Sequence, residues 1–370
     1  MFDVENKAPK VFLAGSRDKK TTKNQSESLI RELEGLSSTL GLEIAGREIV
    51  NIREQSVQYG MGTGKAAEIS EKAAALGAEC IIFDREISPS QQRNWEKLSG
   101  LSVMDRQELI IQIFTSRART KEAALQSELA ELVYSLPRLQ HKYIDLNRQR
   151  GGRYGTRDTG ETKLEKDRRK IKQRITRLEK EIEEVRKQRE VQRRQRQRRE
   201  VTTAALVGYT NAGKSTLLNK LTGADVFVED KLFATLDSTS RRMELPGGLP
   251  VVLVDSVGFI RRLPHNLIKA FRSTLEETCL SDLLIHVLDA SDPDIESHYK
   301  TTISVLEELE AGSIPRILVL NKADKPESAD YLEHLKNDFP QAIAISAVTG
   351  LGLQELLQNM ETMLHSVPAL

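Results

Sequence analysis

The sequence predicts an α/β protein in three parts: a small α/β domain over residues 1–120, a helical hairpin over 121–200 and a larger α/β domain over 201–370. In the first and last parts, apolar strand-like runs alternate with helical patterns, which is typical of a parallel sheet covered by helices. In the middle part, apolar residues recur in alternating steps of four and three, the spacing of a coiled coil.

Short apolar runs between helical segments predict the strands of the N-terminal domain. Ala-rich and amphipathic segments separate them, so we expect a small parallel sheet. The predicted strands are VFLAG (11–15), LEIAGREIV (42–50), AECIIFD (78–84) and LSVMD (101–105).

Two heptad runs in series predict an antiparallel coiled-coil hairpin, because a helix that follows another closely can return along it. Pro137 lies inside the first run and should kink that helix or end it early. The predicted seam residues are Leu125, Leu129, Leu132, Leu136, Leu139, Tyr143 and Leu146, then Ile171, Ile175, Leu178, Ile182 and Val185.

The hairpin is strongly basic, although the whole chain has a net charge of only +1. Residues 141–200 contain 22 Lys and Arg against 11 Asp and Glu. Their predicted tip, 147–163, is rich in Gly and Arg, which suits close contact with phosphate. A solvated helix face and a flexible tip are the alternatives. The candidate RNA contacts are Arg148, Arg150, Arg153, Arg157, Arg193 and Arg194.

Composition excludes several classes of protein. No apolar run is long enough to span a bilayer, and the first residues lead into no apolar segment of a secretory signal. Cys80 and Cys279 are far apart and lack metal-ligand spacing, so a disulfide framework or a zinc module is excluded. We therefore expect a cytoplasmic location.

A phosphate-loop pattern, Gly208-x-x-x-x-Gly213-Lys214-Ser215, follows an apolar strand and precedes a helix. Backbone amides at such a helix start wrap phosphates, the lysine reaches the β- and γ-phosphates, and the serine hydroxyl binds Mg²⁺. The predicted nucleotide contacts of this loop are Gly208, Tyr209, Thr210, Asn211, Ala212, Gly213, Lys214, Ser215 and Thr216.

The next strand ends in Asp255-x-x-Gly258. A carboxylate there can hold Mg²⁺ through water, and the Gly258 amide can sense the γ-phosphate, which makes the segment after it a switch. A threonine of the first switch should join the Mg²⁺ site. Thr235 is the first choice and Thr239 the second, with Phe233 as a further nucleotide contact.

Two later strands end in base-recognition patterns, Asn321-Lys322-Ala323-Asp324 and Ser346-Ala347. The Asp324 carboxylate can accept hydrogen bonds from N1–H and the exocyclic amine of guanine. Adenine lacks that amine and has an acceptor at N1, so ATP should be rejected. A backbone amide near Ala347 would meet guanine O6. The four patterns occur in order, each after a strand, and together they predict a P-loop GTPase domain.

Two residues bear on how such a domain would hydrolyse GTP. Phe259 stands where many GTPases place a water-orienting glutamine, so we expect slow intrinsic hydrolysis and assign no catalytic side chain. Asn211 in the phosphate loop is typical of GTPases that use K⁺ in place of an arginine finger, so K⁺ stimulation is a hypothesis.

The sequence resembles the HflX family of translation-factor-class GTPases. The similarity is carried by VGYTNAGKSTLLNKLTGADVFVEDKLFATLD, by DSVGFIRRLPHNLIKAFRSTLEET, by the hairpin segments RTKEAALQSELAELVYSLPRL and GETKLEKDRRKI, and by YGMGTGKAAEI. The resemblance implies an N-terminal domain, a coiled-coil hairpin and a GTPase domain that takes GTP and GDP with Mg²⁺.

The resemblance also implies a partner. Members of the family bind the large ribosomal subunit and its 23S-type rRNA, place the hairpin loop near the peptidyl-transferase centre and separate stalled or stress-inactivated ribosomes. The ribosome stimulates hydrolysis, and we expect a monomer away from it.

This chain departs from the family pattern in several places. The tip normally reads Gly-Pro-Gly-Glu-Thr, whereas here the sequence is RDTGET (157–162). Ser238 replaces a proline, and Ser256 replaces a threonine. The chain also ends soon after the GTPase domain, so we expect no extra C-terminal domain of the kind found in longer relatives.

Two other functions remain open. GMGTGK (60–65) lacks the spacing of a phosphate loop, but it is a weak hint of a second nucleotide site, of an rRNA contact or of a simple turn. An ATP-driven RNA-remodelling factor that uses the N-terminal domain is therefore one alternative. A nucleotide-gated RNA-binding module is the other.

Overall fold

The computed structural model describes backbone over residues 8–19, 21–52, 54, 56–139, 157–197, 202–224, 229, 231–236, 239–262 and 278–366. Side chains of 157–164, 189–190, 192–197 and 329–331 are outside that description. Within it, no helix has the length and apolar character needed to cross a membrane. The chain divides into two compact units, Met1–Arg117 with Leu125–Glu181, and Ala118–Ala124 with Ile182–Leu370.

The N-terminal sheet is parallel throughout, as the alternation of strands and helices predicts. Its order is β2-β1-β3-β4, and all four predicted strands are present. The strands are β1 (Lys10–Arg17), β2 (Glu43–Asn51), β3 (Cys80–Phe83) and β4 (Ser102–Asp105). The helices of this domain are α1 (Lys23–Thr39), α2 (Thr63–Ala75), α3 (Pro89–Ser99) and α4 (Arg106–Arg117).

Capping residues fix where these helices begin. Thr22 and Gln25 form a reciprocal capping box at α1, and Ser88 and Gln91 form one at α3, with Pro89 in the first turn. Each box satisfies two backbone amides that the helix itself leaves unpaired. The helices pack on the sheet around a core that includes Trp95.

A buried charged cluster ties α1 to the carboxyl ends of the strands. The guanidinium of Arg106, the first residue of α4, pairs with Glu32 of α1 and with Asp84, whose oxygen lies 3.0 Å away. All three residues are buried. Removing one partner would leave an uncompensated buried charge, which costs several kcal/mol, so the cluster fixes one arrangement of the elements.

The hairpin helices are α5 (Lys121–Ser135) and α6 (Arg157–Gln197). As predicted, α5 ends just before Pro137. On α6 the predicted seam residues are the less exposed ones, and Leu178 is fully buried. Arg174 pairs with Glu128 of α5 through two hydrogen bonds of 2.7 and 2.6 Å, so the two helices are in contact.

The predicted tip is too long at its C-terminal end. Residues 157–163 belong to α6 rather than to a connection. The sequence RDTGE places acidic residues in the first turn, where their negative charge interacts favourably with the positive end of the helix dipole. The one internal glycine lowers the stability of the helix by only about 1 kcal/mol. The rest of the tip, with Arg148, Arg150 and Arg153, lies outside the described residues.

The C-terminal sheet has the order β10-β9-β8-β5-β7-β6, parallel except for the antiparallel edge strand β6. Because the carboxyl ends of parallel strands lie at one edge, loops after several strands meet there. The strands are β5 (Thr202–Gly208), β6 (Thr239–Glu244), β7 (Pro250–Asp255), β8 (Leu283–Asp289), β9 (Arg316–Asn321) and β10 (Ile343–Ala344). The helices are α7 (Lys214–Thr222), α8 (Ile295–Glu308), α9 (Pro326–Asp338) and α10 (Leu353–Ser366).

One histidine is buried in this sheet. His286 on β8 is fully enclosed, stacks on Tyr299 of α8, and neither ring nitrogen has a hydrogen-bond partner among the described residues. Burial lowers the pKa of His286 from 6.5 to about 3, and the positive charges of Arg316 and Lys214 act in the same direction. His286 is therefore neutral in the folded protein at neutral pH.

We expect His286 to make the protein less stable in mild acid. Because the folded-state pKa is depressed, the unfolded chain takes up a proton first; this contribution is complete above pH 6.5 and is lost as the pH falls towards about 3. Each pH unit in that window costs about 1.4 kcal/mol. Urea unfolding at about pH 7 and about pH 4.5 should show a smaller acid-induced loss of stability for His286→Leu than for the unsubstituted protein.

The matched control is His334→Gln, since His334 is exposed on α9. This variant should keep the full acid-induced loss. Equal losses in His286→Leu and the unsubstituted protein would contradict the assignment.

Candidate nucleotide-binding site

The phosphate-loop pattern forms a tight connection between β5 and α7. Gly208 ends the strand with φ 146°, and a Cβ there would overlap the carbonyl oxygen of Val287. Gly213 is the N-cap of α7 with φ 91°, and a Cβ there would overlap the side-chain amide of Asn321. Both glycines are thus required by sterics as well as by backbone conformation.

Lys214 opens α7 and is folded back against its own loop. Its ammonium group donates to the carbonyl oxygens of Gly208 at 3.1 Å and Tyr209 at 2.8 Å. Burial lowers the pKa of Lys214 to about 8, and the nearby Asp255 carboxylate acts in the opposite direction. The ammonium is thus a desolvated cation held at the start of a helix, where phosphate oxygens would compete for it.

Three oxygen ligands suited to Mg²⁺ meet beside this lysine. The Ser215 hydroxyl lies 2.6 Å from the Thr235 hydroxyl and donates to Asp255 at 2.5 Å. The other Asp255 oxygen is buried with no partner among the described residues, and burial raises the pKa of this carboxyl group. Hydroxyl and carboxylate oxygens are the donors that Mg²⁺ takes, so this set fits the ion. Thr239, the alternative choice, instead begins β6.

The segment after Asp255 is joined to the phosphate loop by backbone hydrogen bonds. The Thr210 amide donates to the Phe259 carbonyl at 2.8 Å, and the Phe259 amide donates to the Gly208 carbonyl at 3.1 Å. A Cβ on Gly258 would lie 2.7 Å from the Thr210 Cα and 2.9 Å from the Lys214 amine. The position therefore requires glycine, and it places the second switch against the phosphate loop.

The Phe259 side chain is buried at 1% exposure and does not line the phosphate cleft. The replacement of the usual glutamine thus removes a side chain from the cleft altogether. The residue contributes through its backbone and its packing.

An open cleft of about 400 Å³ lies between the loop and the switches. Most of its lining was predicted, including Asn211, Thr216 and Phe233. Glu229 and Lys231 of the first switch also line it, and they pair at 2.6 Å. No motif marks these two residues, and only their place in a charged segment of the first switch could have pointed to them.

The base-recognition patterns meet at the neighbouring strand ends. The Asn321 side chain donates to the Ala212 carbonyl at 2.9 Å and accepts from the Ala347 amide at 3.0 Å, so it links both patterns to the phosphate loop. The Lys322 ammonium pairs with Asp289 at 2.6 Å. Asp324 is exposed, which leaves its carboxylate accessible to a ligand.

The Ser346-Ala347 pattern lies just after β10, but the Ala347 amide already has a hydrogen-bond partner. The buried Ser346 hydroxyl accepts from the Thr349 amide at 3.0 Å, which fixes the turn. Since the Ala347 amide already donates to Asn321, contact with guanine O6 requires exchange of that hydrogen bond.

Three of the six arginines predicted to contact RNA lie on a described helix. Arg157, Arg193 and Arg194 lie on α6, with side chains outside the described set. The seam residues lie on the same helix. The assignment of these three arginines as RNA contacts stays a prediction.

The glycine-rich segment of the N-terminal domain has a different arrangement. Gly62 is the N-cap of α2 and makes no side-chain cap, and it adjoins an open surface pocket of about 930 Å³, a volume that includes the solvent at its mouth. Lys65, the lysine of GMGTGK, is paired with Glu48 and with Glu68 at 2.8 Å. Two carboxylates at this lysine oppose the binding of a phosphate.

Comparison with known families covers most of the chain. Residues 27–115 match the family described as GTP-binding GTPase N-terminal, and residues 117–196 match the GTP-binding GTPase middle region. Residues 203–322 match the family described as 50S ribosome-binding GTPase.

Similar proteins are found at high coverage. A protein named GTPase HflX from Akkermansia muciniphila is 45% identical over 353 residues, covering 92% of this chain and 81% of its own. One of the same name from Escherichia coli is 43% identical over 340 residues, covering 92% and 80%. The crystal structure of a protein named SsGBP with GDP has a TM-score of 0.50 at 24% identity over 96% of this chain and 98% of its own, a likeness of fold.

Proposed function

The chain belongs to the GTPase HflX family and hydrolyses GTP, and we propose that it does so on the large ribosomal subunit, where it separates stalled or inactive ribosomes into subunits. The observation that carries the chemical part is the meeting of phosphate loop, oxygen ligands and base-recognition residues at one sheet edge. The ribosomal part is supported by the family match over residues 203–322 and by the basic segment 141–200.

In the proposed complex, the loop amides and the Lys214 ammonium hold the phosphates, exchanging the carbonyl contacts of that lysine for phosphate oxygens. Ser215 and Thr235 would bind Mg²⁺ directly and Asp255 through water, and the ion neutralises charge that develops on the phosphates. Asp324 selects guanine.

Binding of GTP then orders both switches. Thr235 already lies beside Ser215, and Gly258 already lies against the phosphate loop, so the nucleotide stabilises an arrangement that the chain can reach by itself. Phe259 offers no hydrogen bond to water, so intrinsic hydrolysis is slow. The ribosome supplies the missing acceleration in this proposal, and a K⁺ ion held near Asn211 would supply positive charge in place of an arginine finger.

The ordered switches dock on the large subunit, and the hairpin directs its Arg/Gly tip into 23S-type rRNA. The insertion displaces a tRNA or an intersubunit bridge, and hydrolysis releases the factor. The protein acts in the cytoplasm and is a monomer away from the ribosome. The positive charge of segment 141–200, which would attract RNA phosphates, supports the proposed contact with rRNA.

The two alternatives have less support. The pairing of Lys65 with Glu48 and Glu68 disfavours an ATP site at GMGTGK, and Asp324 disfavours ATP in the GTPase domain. A nucleotide-gated RNA-binding module would keep its function without hydrolysis.

We expect isolated large subunits to raise GTP turnover by at least about 100-fold, because a partner must complete a site that lacks its water-orienting glutamine. The measurement is phosphate release in K⁺ buffer with and without large subunits, with small subunits as the control and ATP run in parallel. Repetition in Na⁺ buffer tests the ion, and equal rates would remove K⁺ from the proposal. GTP turnover that large subunits leave unchanged would overturn the ribosomal role while keeping the chemistry.

A further inference from the structure

Tyr209 belongs to the phosphate loop, but its side chain is turned away from the phosphate cleft. The residue is 4% exposed and does not line the cleft. Its ring lies flat on the ring of His298 in α8, with centroids 3.7 Å apart and planes at 13°. The loop is therefore packed against a helix on the side opposite the phosphates.

The hydroxyl of the same side chain holds the second switch. It accepts a hydrogen bond of 2.7 Å from the backbone amide of Arg261. The Arg261 guanidinium lies 3.9 Å from Asp294, the N-cap of α8, so the switch residue is also linked to that helix by charge.

Backbone pairing extends this contact towards the γ-phosphate side. Tyr209 and Phe259 form a parallel bridge, and Gly258 comes directly before Phe259. The segment 258–261 is thus fixed at its start by the loop backbone and at its end by the Tyr209 hydroxyl. Loss of the hydroxyl would remove the hydrogen bond that holds the end of this segment to the phosphate loop.

The position of segment 258–261 should affect GTP hydrolysis more in this chain than in a GTPase that carries a water-orienting glutamine in place of Phe259. With Phe259 buried, Ser256 and Gly258 are the described residues of the second switch that line the cleft. Their placement then depends on how firmly the backbone is held, and small displacements of such groups lower rates sharply.

We propose that Tyr209 is a positioning residue for GTP hydrolysis, which latches the second switch to α8 through its hydroxyl and its stacked ring. The inference rests on the GTPase activity of the chain and is independent of the ribosomal partner. Because GDP has no γ-phosphate to engage Gly258, the latch should matter for GTP turnover and not for GDP binding.

Tyr209→Phe tests the latch, since it removes one hydroxyl and leaves the ring. The loss of one hydrogen bond should lower kcat by about five- to tenfold, with KM for GTP changed by less than about twofold and GDP affinity unchanged. The measurements are steady-state GTP turnover and GDP titration by fluorescence of a labelled nucleotide.

The chain supplies a matched control. Tyr299 of α8 also stacks on a histidine, His286, with centroids 5.3 Å apart, and its hydroxyl is in none of the contacts described for the second switch. Tyr299→Phe should therefore keep the unsubstituted kcat. A second variant, His298→Leu, removes the stacking surface and should lower kcat in the same direction as Tyr209→Phe.

Unchanged kcat in Tyr209→Phe, or an equal fall in Tyr299→Phe, would overturn the proposal. A fall in GDP affinity that matches the fall in kcat would also overturn it, because it would show a general disturbance of the loop. If the unsubstituted protein had no GTPase activity, the premise would fail, and that outcome is distinct from either result.

Discussion

Replacement of Lys214 by alanine is expected to lower GTP turnover by at least about 100-fold, the largest loss that a single side chain of this site should cause. The ammonium group is buried and, among the described residues, donates hydrogen bonds only to carbonyls of its own loop, which phosphate oxygens can replace. No other lysine of the described cleft lies in the loop itself. Single-turnover hydrolysis and nucleotide titration measure the effect.

The thermal stability of the protein provides a second measurement of the Lys214→Ala substitution. Burial lowers the pKa of Lys214 to about 8, which shows that the folded environment disfavours its charge. A bound phosphate would compensate that charge, so added GDP should raise the unfolding temperature of the unsubstituted protein and not that of Lys214→Ala.

Lys300→Ala is the matched control, because Lys300 is exposed on α8 and its one ion pair within the described residues is with Glu296, one turn away. It should keep full turnover. If Lys214→Ala kept turnover within about threefold of the unsubstituted protein, the phosphate-loop assignment would be wrong.

Local patterns were enough to predict the two sheets. Short apolar runs between helical segments mark the strands. The motifs after β5, β7, β9 and β10 meet because parallel strands end at one edge of a sheet. The end of α5 before Pro137 was also predicted from a local rule, because a proline disfavours helical backbone in the residue before it.

Contacts between distant residues could not be predicted in this way. The stacking of Tyr209 on His298 and the hydrogen bond to the Arg261 amide depend on how α8 packs on the sheet, and no spacing along the chain encodes it. The pair Glu229 and Lys231 likewise becomes part of the cleft only when the first switch folds over it. The start of α6 at Arg157 was not predicted, because the glycines of segment 147–163 favour a loop and outweighed the acidic first turn.

Base specificity gives the second large effect. In the proposed complex the Asp324 carboxylate would accept two hydrogen bonds from the N1–H and the amine of guanine, and asparagine would present a donor where an acceptor is needed. Asp324→Asn should therefore weaken GTP binding by about 100- to 1,000-fold, the cost of losing paired contacts to a charged group. Xanthine carries an oxygen in place of the amine, so the same variant should gain affinity for XTP.

This gain separates a change of specificity from a loss of folding. Turnover of GTP, XTP and ATP by Asp324→Asn is measured beside Asp338→Asn, which alters an exposed carboxylate at the end of α9. The control should keep the preference for GTP. The framework that holds Asp324 consists of the contacts of Asn321 with Ala212 and Ala347, which the substitution leaves in place, so XTP should be hydrolysed at a rate close to that of GTP in the unsubstituted protein. A variant that still preferred GTP would show that another residue reads the base.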